Sequence, residues 1–263
     1  MPIGPARMPL FDHLAELRRR LTIVIVSVIC AALIIYFATP TLIDIMFDPI
    51  KSVLPAGSEL TVLTALGGFG IRFKVSLFFG MIMCTPIIIW QVMGFFLPAL
   101  TEKERRWVVP TFTAMVALFF VGMIFCYFVI QRAAFGWLVE QITEFATATV
   151  NAEDYLNIMM LLEVGFGIAF QLPLVIFYLS ILHIVPYRTF RAQWRYIYVV
   201  LLVVCGVVTP DASPVTMLLM YAIMLLLYEG SLFVARRVII MRDGKEALHW
   251  TREEYAERAL DKE

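Results

Sequence analysis

Charge is scarce in this chain. Asp, Glu, Lys and Arg make up 16% of its 263 residues while 61% are hydrophobic, against about a quarter charged and half apolar in a soluble domain. That balance excludes an ordinary water-soluble globule. The formal net charge of zero says little, because a bilayer reads where charges sit rather than their sum; no nucleic-acid partner is expected. The four cysteines, Cys30, Cys84, Cys126 and Cys205, all fall inside apolar runs with no C-x-x-C or Cys/His spacing. They suggest neither a metal site nor a disulfide framework, and read as small core residues. No G-x-x-x-x-G-K-[ST] loop is present, so no step is assigned to ATP bound by this chain. The three histidines, His13, His183 and His249, stand at the edges of apolar runs or in the tail, without a nucleophile and base paired beside them. Neither an enzyme nor a cofactor is expected.

What the chain does have is apolar length. Runs at about 21–38, 75–97, 107–130, 155–185, 196–208 and 215–235 are candidate membrane spans. The first is an uninterrupted 18 residues, longer than the ~7–15 of an export-signal core and enough for about 27 Å of helix, so it reads as a retained anchor. Unpaired backbone is too costly in hydrocarbon for anything but helices or closed barrels, and the ~10-residue alternating segments of a barrel are absent. The expected fold is therefore all-α: a polytopic membrane domain of six transmembrane helices over residues 1–237, then a charged tail, 238–263.

A curved, concave bundle is expected because two spans contain proline. Pro86 and Pro173 each remove a backbone hydrogen bond and bend their helix. The fifth run has only 13 residues, about 20 Å of helix against a core of ~30 Å, so it must thin the bilayer or borrow flanking residues. The tight "TPDASP" turn follows it, with the residue types of a helix stop and a new start. Two other connections, 39–74 and 132–154, are long enough to hold short helices.

Lysine and arginine set the orientation. The N-terminal tail, the second and fourth connections and the segment from Arg236 onward hold 17 of the 21 basic residues. Those four segments, and both termini with them, are expected on the cytoplasmic side.

Acids interrupt that basic pattern at two places. In "HLAELRRRL", Glu16 precedes Arg20 by four residues, an arrangement worth about 0.2–0.5 kcal/mol on a helix. In "FFLPALTEKERRWVVP", Glu102 and Glu104 stand beside Arg105 and Arg106. A carboxylate can hold a guanidinium bidentately, so acids gathered at one membrane face would suit an arginine-containing peptide. Two further acids fall within apolar runs, where acids mark functional sites by default. Glu163 reads equally as a residue near the outer interface, about 12 Å of helix beyond Tyr155, or as part of a polar patch with Gln171. Glu229 reads as an ion pair with Arg236 at i+7 or as a functional group.

The segments "HLAELRRRL", "FFLPALTEKERRWVVP", "FGIAFQLPLVIFYLSILHIV" and "TPDASPVTMLLMYAIMLLLYEGSLF" occur in an order and spacing, over about residues 10–237, that resemble the TatC family. This is the six-span receptor subunit of the twin-arginine protein translocase. The resemblance implies a receptor for signal peptides bearing paired arginines. It also implies a scaffold in the cytoplasmic membrane that works with TatA/TatB-type single-span proteins and with further copies of itself. Together these export folded proteins using the proton gradient. It assigns Glu16 and Glu104 to the signal's arginines, and Arg18, Phe95, Pro98 and Leu100 to the shape of that site. Pro49 and Asp211 fall at family positions on the outer face, as structural support.

The sequence departs from the family in two places. Gln171 in "FQLP" stands where the family commonly has glutamate; an amide keeps hydrogen-bonding capacity but cannot ionise, which puts in doubt any mechanism that titrates this position. Gln171, Glu163 and Glu229 are the intramembrane polar residues open to a partner's helix. In "FVIQRAAF", Gln131 and Arg132 replace a more typical apolar–proline pair, with a local effect expected. The competing reading is a small secondary transporter or ion channel with its path through Glu163, Gln171 and Glu229. The internal symmetry that would support it is absent.

Overall fold

The computed structural model describes residues 10–55, 58–96, 108–144, 149–181, 185–209, 213–250 and 254. Nearly all of these are helical. Helix α1 (Leu10–Ile35) passes through a 3-10 turn at Tyr36–Ala38 into α2 (Thr39–Lys51). Helices α3 (Gly67–Met83) and α4 (Thr85–Phe96) meet at a break. Helix α5 (Val108–Phe125) continues through a five-residue π-turn, Cys126–Ile130, into α6 (Gln131–Thr143). Then come α7 (Ala152–Ala169), α8 (Leu172–Ile181), the short α9 (Tyr187–Ala192), α10 (Trp194–Val208), α11 (Pro214–Asp243) and a 3-10 segment at Lys245–His249.

Among the described residues, four helical stretches are long and apolar enough to cross a membrane: Leu14–Lys51, Val108–Thr143, Ala152–Ile181 and Pro214–Arg242. The α3–α4 pair, bent by 56°, makes a fifth when taken as one span, and α10 is a shorter apolar helix. Along the first stretch Ile29, Leu33 and Phe37 are exposed by 50%, 65% and 87%. A continuous apolar surface of that kind belongs in lipid. The chain is a multi-pass membrane protein.

The prolines act as helix starters. Pro86 is the second residue of α4, just after the break at Cys84, and Pro173 is the second residue of α8, just after the break at Phe170–Gln171. In a first turn the missing proline N–H would have had no intrahelical acceptor, and the fixed φ suits the helix. Ser213 caps α11 by accepting from the Thr216 N–H at 3.3 Å, with Pro214 next, the arrangement that Ser and Pro favour at a helix start. Helix α11 runs on to Asp243 and stops at Gly244, whose φ of +89° suits a residue without a Cβ. The 15 residues of α10 rise about 22 Å, short of one hydrocarbon thickness.

Two elements were not expected from the sequence. The strands β1 (Glu59–Thr61) and β2 (Thr149–Asn151) pair in parallel, with Glu59 opposite Thr149 and Thr61 opposite Asn151. They lie in the two long connections, which also hold α2 and α6. Strands of three residues are too short to show an alternating pattern. Cys30 is exposed on α1, whereas Cys84, Cys126 and Cys205 are buried as expected.

The chain forms two compact units, Met1–Ala117 with Val139–Met160, and Leu118–Leu138 with Leu161–Glu263. In the first, α1 packs on α3 with Gly80 against Ala32. A Cβ at Gly80 would lie 2.9 Å from the Ala32 backbone nitrogen, so glycine sets how closely these helices approach, as small residues do between membrane helices. The buried Tyr155 hydroxyl donates to the Met46 carbonyl at 2.8 Å. Lys74 Nζ donates to Glu153 Oε1 at 2.7 Å and to Asn157 Oδ1 at 3.2 Å. In the second unit, Gly122 faces the Phe166 carbonyl and the Phe170 side chain, and Gly167 faces the Phe119 ring. The Phe125 ring lies 6.4 Å and 5.9 Å from the Phe166 and Phe170 rings.

Gly80→Ala should therefore destabilise the protein by about 1–3 kcal/mol, the range for overpacking a filled contact. Gly68→Ala, on the same helix but with open space around the added methyl, should not. Thermal unfolding of the two variants in detergent checks this, and equal melting temperatures would contradict the proposed α1–α3 contact.

Candidate functional site

The start of α1 and the second half of α4 build one charged constellation within the first unit. Arg20 Nη2 and Nε both reach Glu16 Oε1, at 2.6 Å and 3.0 Å, the i, i+4 pair expected from the sequence. Arg20 Nη1 donates to the carbonyl and to the side-chain Oε1 of Gln91, each at 3.3 Å. A Cβ on Gly94 would collide with Arg20 Nη1, so the bare backbone at Gly94 is what lets the guanidinium lie against α4. The Arg20 and Glu16 side chains are 24% and 23% exposed. The other carboxylate oxygen, Glu16 Oε2, is buried with no hydrogen-bond partner among the described residues. An ionised carboxylate can accept several hydrogen bonds, so the site holds an oriented acid with acceptor capacity to spare.

Around it, Phe95 stands one turn beyond Gln91 on α4 and is half-buried, while Arg18 is exposed and its carbonyl accepts from Thr22 Oγ1 at 2.8 Å. Leu14, Leu17 and Leu21 form an exposed apolar face. Pro49 is buried in α2. Glu104, Pro98 and Leu100, together with Glu102, Arg105, Arg106 and Asp211, lie outside the described residues.

The second unit holds the intramembrane polar groups, and their partners differ from those expected. Glu163, on α7 and 6% exposed, accepts from Gln131 Nε2 at 3.0 Å, and Gln131 is fully buried. The acid is thus packed against an amide inside the protein rather than open to an aqueous interface. The π-turn ends at Ile130, one residue before Gln131. An extra residue in a turn changes the face that the following helix presents, and Ile130 and Gln131 are both buried. Gln171 does not join this pair; its Nε2 donates to the Gly167 carbonyl one turn back at 3.4 Å, beside the α7–α8 break. Glu229 meets Arg191 Nη1 at 2.9 Å and the Tyr198 hydroxyl at 2.9 Å. The i+7 pair with Arg236 does not form, because seven residues place Arg236 about 10 Å further along the axis while Arg191 comes in from α9.

Gln91, Gly94 and Arg191 were not singled out as site residues from the sequence, and Gln131, noted there as a departure with a local effect, was not paired with Glu163. For Gln131 and Glu163 a signal was available: each is a polar side chain inside an apolar run, one a donor and one an acceptor, and buried polar groups find partners. The same holds for Gln91 in "IIIWQVMGFF". Nothing in the sequence marks Gly94, whose importance arises only from the arginine lying against it.

Apolar helices of membrane-crossing length, broken and capped along the chain, make this a polytopic membrane protein. Residues 12–222 match the model of the Sec-independent protein translocase protein (TatC) family, and the chain belongs to that family. The TatC protein of Aquifex aeolicus is 32% identical over 231 residues, covering 87% of this chain and 95% of that protein. That of Escherichia coli (strain K12) is 33% identical over 202 residues, covering 77% and 78%. A crystal structure of a twin arginine translocase receptor, TatC, superposes with a TM-score of 0.71 at 30% identity, covering 85% of this chain and 97% of that one. A second, in DDM, gives 0.74 at 31% identity, covering 85% and 99%. These relatives are protein translocase components, a transport role rather than catalysis.

Removing the donor in Gln131→Leu should cost about 1–3 kcal/mol, the penalty for a buried polar group left without its partner. Gln131→Leu combined with Glu163→Leu should recover most of that loss. Melting temperatures of the two single variants and the double variant close the cycle, and strictly additive losses would show that the pair contributes nothing.

Proposed function

We propose that this protein is the twin-arginine signal receptor and core scaffold of a translocase that exports folded proteins. The observation that carries the reading is the state of Glu16. Arg20 orients its carboxylate, Gln91 braces Arg20, and Oε2 accepts no hydrogen bond from the described residues. Arg20 is then a resident stand-in for the ligand, because it presents to the acid the same group that a signal arginine brings. A signal arginine that replaces it, or that reaches Oε2 as Arg20 shifts, exchanges one charge-assisted pair for another. No bare carboxylate has to be taken out of water at that moment.

Glu104 takes the second arginine in this reading, while Arg18, Phe95, Pro98 and Leu100 shape the surface. Six spans follow if α1–α2, the bent α3–α4 pair, α5–α6, α7–α8, α10 and α11 each cross, with the bilayer thinned around α10. In this reading both termini lie on the cytoplasmic face of the inner membrane, which the distribution of basic residues favours. Half-buried Gln171 bonds a polar group on a TatA/TatB-type membrane helix, an interaction worth about 0.6–2 kcal/mol in lipid. Glu163, held by Gln131, backs that surface, and Glu229, midway along α11, ties that helix to Arg191 of α9 and Tyr198 of α10. Copies of the chain associate to form the translocation site, and the proton gradient drives transport.

Glu16→Ala and Glu104→Ala should each lower photocrosslinking of a twin-arginine signal by about tenfold or more, the loss of one charged hydrogen bond, with membrane insertion intact. Unchanged crosslinking in both variants would remove the receptor assignment. Gln171→Leu should reduce co-purification of single-span partners and spare signal crosslinking; the opposite pattern would reassign that residue.

A further inference from the structure

The last turns of α11, together with α9 and the start of α10, hold arginines whose engagements differ. Arg191 is held by Glu229 and by the Tyr187 hydroxyl. Arg195 stacks on Trp194 at 5.4 Å and Arg237 on Phe233 at 5.3 Å. Arg242 donates to the Ile181 carbonyl at 3.2 Å. Among the described residues, Arg188 and Arg236 have no hydrogen bond, ion pair or ring contact, and both line the same cleft of about 430 Å³. Tyr187, Arg191, Ala192, Leu248 and His249 complete its wall.

The height of the cleft along α11 matters. Arg236 stands 22 residues beyond Pro214, about 33 Å of helix and therefore about one hydrocarbon thickness from the other end of the span. Trp194 and Tyr196, 42% and 76% exposed at the start of α10, are the residue types that gather at the headgroup level. The 3-10 segment Lys245–His249 folds back on the buried Ala247 to bring His249 and Leu248 into the wall.

We propose that this cleft binds the phosphate headgroup of an anionic glycerophospholipid from the adjacent leaflet. Arg188 and Arg236 supply two guanidiniums that pair with no acid among the described residues, and bidentate guanidinium–phosphate contacts are the strong ones. The Tyr187 oxygen accepts from Arg191 Nε at 3.2 Å, which leaves its O–H to donate to a phosphate oxygen. Leu248 and Ala192 offer apolar surface to the glycerol and the first methylenes. Basic pockets between helix ends at this depth select anionic headgroups over zwitterionic ones. The inference stands apart from the receptor reading, since none of these residues belongs to the Glu16 constellation.

Native mass spectrometry of the full-length protein, released from micelles with equal phosphatidylglycerol and phosphatidylcholine, tests it. Phosphatidylglycerol should be retained in preference, and R188Q/R236Q should lower its affinity by about thirtyfold. R188Q and R236Q singly should fall between, and R195Q, outside the cleft, should behave as the unmodified protein. Size-exclusion elution and helical circular dichroism verify that each variant is folded. Retention that ignores headgroup charge, or that survives R188Q/R236Q, overturns the proposal. So does inorganic phosphate raising the melting temperature in lipid-free micelles as much as phosphatidylglycerol does, since the site would then serve a soluble anion.

Discussion

In hydrocarbon a backbone N–H or C=O has no solvent to turn to, so a helix can be interrupted only where its freed groups find partners nearby. The breaks in this chain obey that constraint. At the α3–α4 bend the Cys84 N–H still reaches the Gly80 carbonyl at 3.0 Å, the Ile88 N–H reaches the Cys84 carbonyl at 2.8 Å, and Thr85 Oγ1 donates to the Met81 carbonyl at 3.3 Å. At the α7–α8 break the Gln171 N–H tightens to the Ile168 carbonyl at 2.9 Å, and the Gln171 side chain donates to Gly167. A hydroxyl in one case and an amide in the other supply what a continuous helix would have supplied itself.

The same scarcity of partners organises the acids. Glu16 is served by Arg20, Glu163 by Gln131, and Glu229 by Arg191 and Tyr198. The donor chosen matches the setting. Glu16, in the second turn of α1, and Glu229, midway along α11 and 37% exposed, meet guanidiniums, whereas the 6%-exposed Glu163 meets a neutral amide. A neutral donor can bond the acid whether or not the acid carries its proton, whereas a guanidinium favours the ionised form.

How much of this was legible in the sequence depends on the range of the interaction. The apolar runs, the shortness of the fifth, the proline positions and the Glu16–Arg20 pair are local patterns, and each has its counterpart in the structure. The Gln131–Glu163 and Arg191–Glu229 contacts join residues on different helices; periodicity within one segment carries no information about its neighbour. Arg236 was the natural local partner for Glu229, and it lost to an arginine that the chain brings back through α9. The parallel strands were too short for any pattern, and Gly94 matters only because a distant arginine lies against it.

The π-turn at Cys126–Ile130 has a bearing on length variation. A π-turn holds one residue more than a regular turn in nearly the same rise, so α5 and α6 are two helices phased about 100° apart from the register an unbroken α-helix would give. Losing a single residue in this interval would scarcely shorten the rod. It would swing everything after it around the axis, carrying Gln131 off the face that meets Glu163 and bringing a neighbour into its place. The identity of the buried residue at this point is thus set by counting as much as by chemistry, and a one-residue insertion or deletion here acts as a rotation.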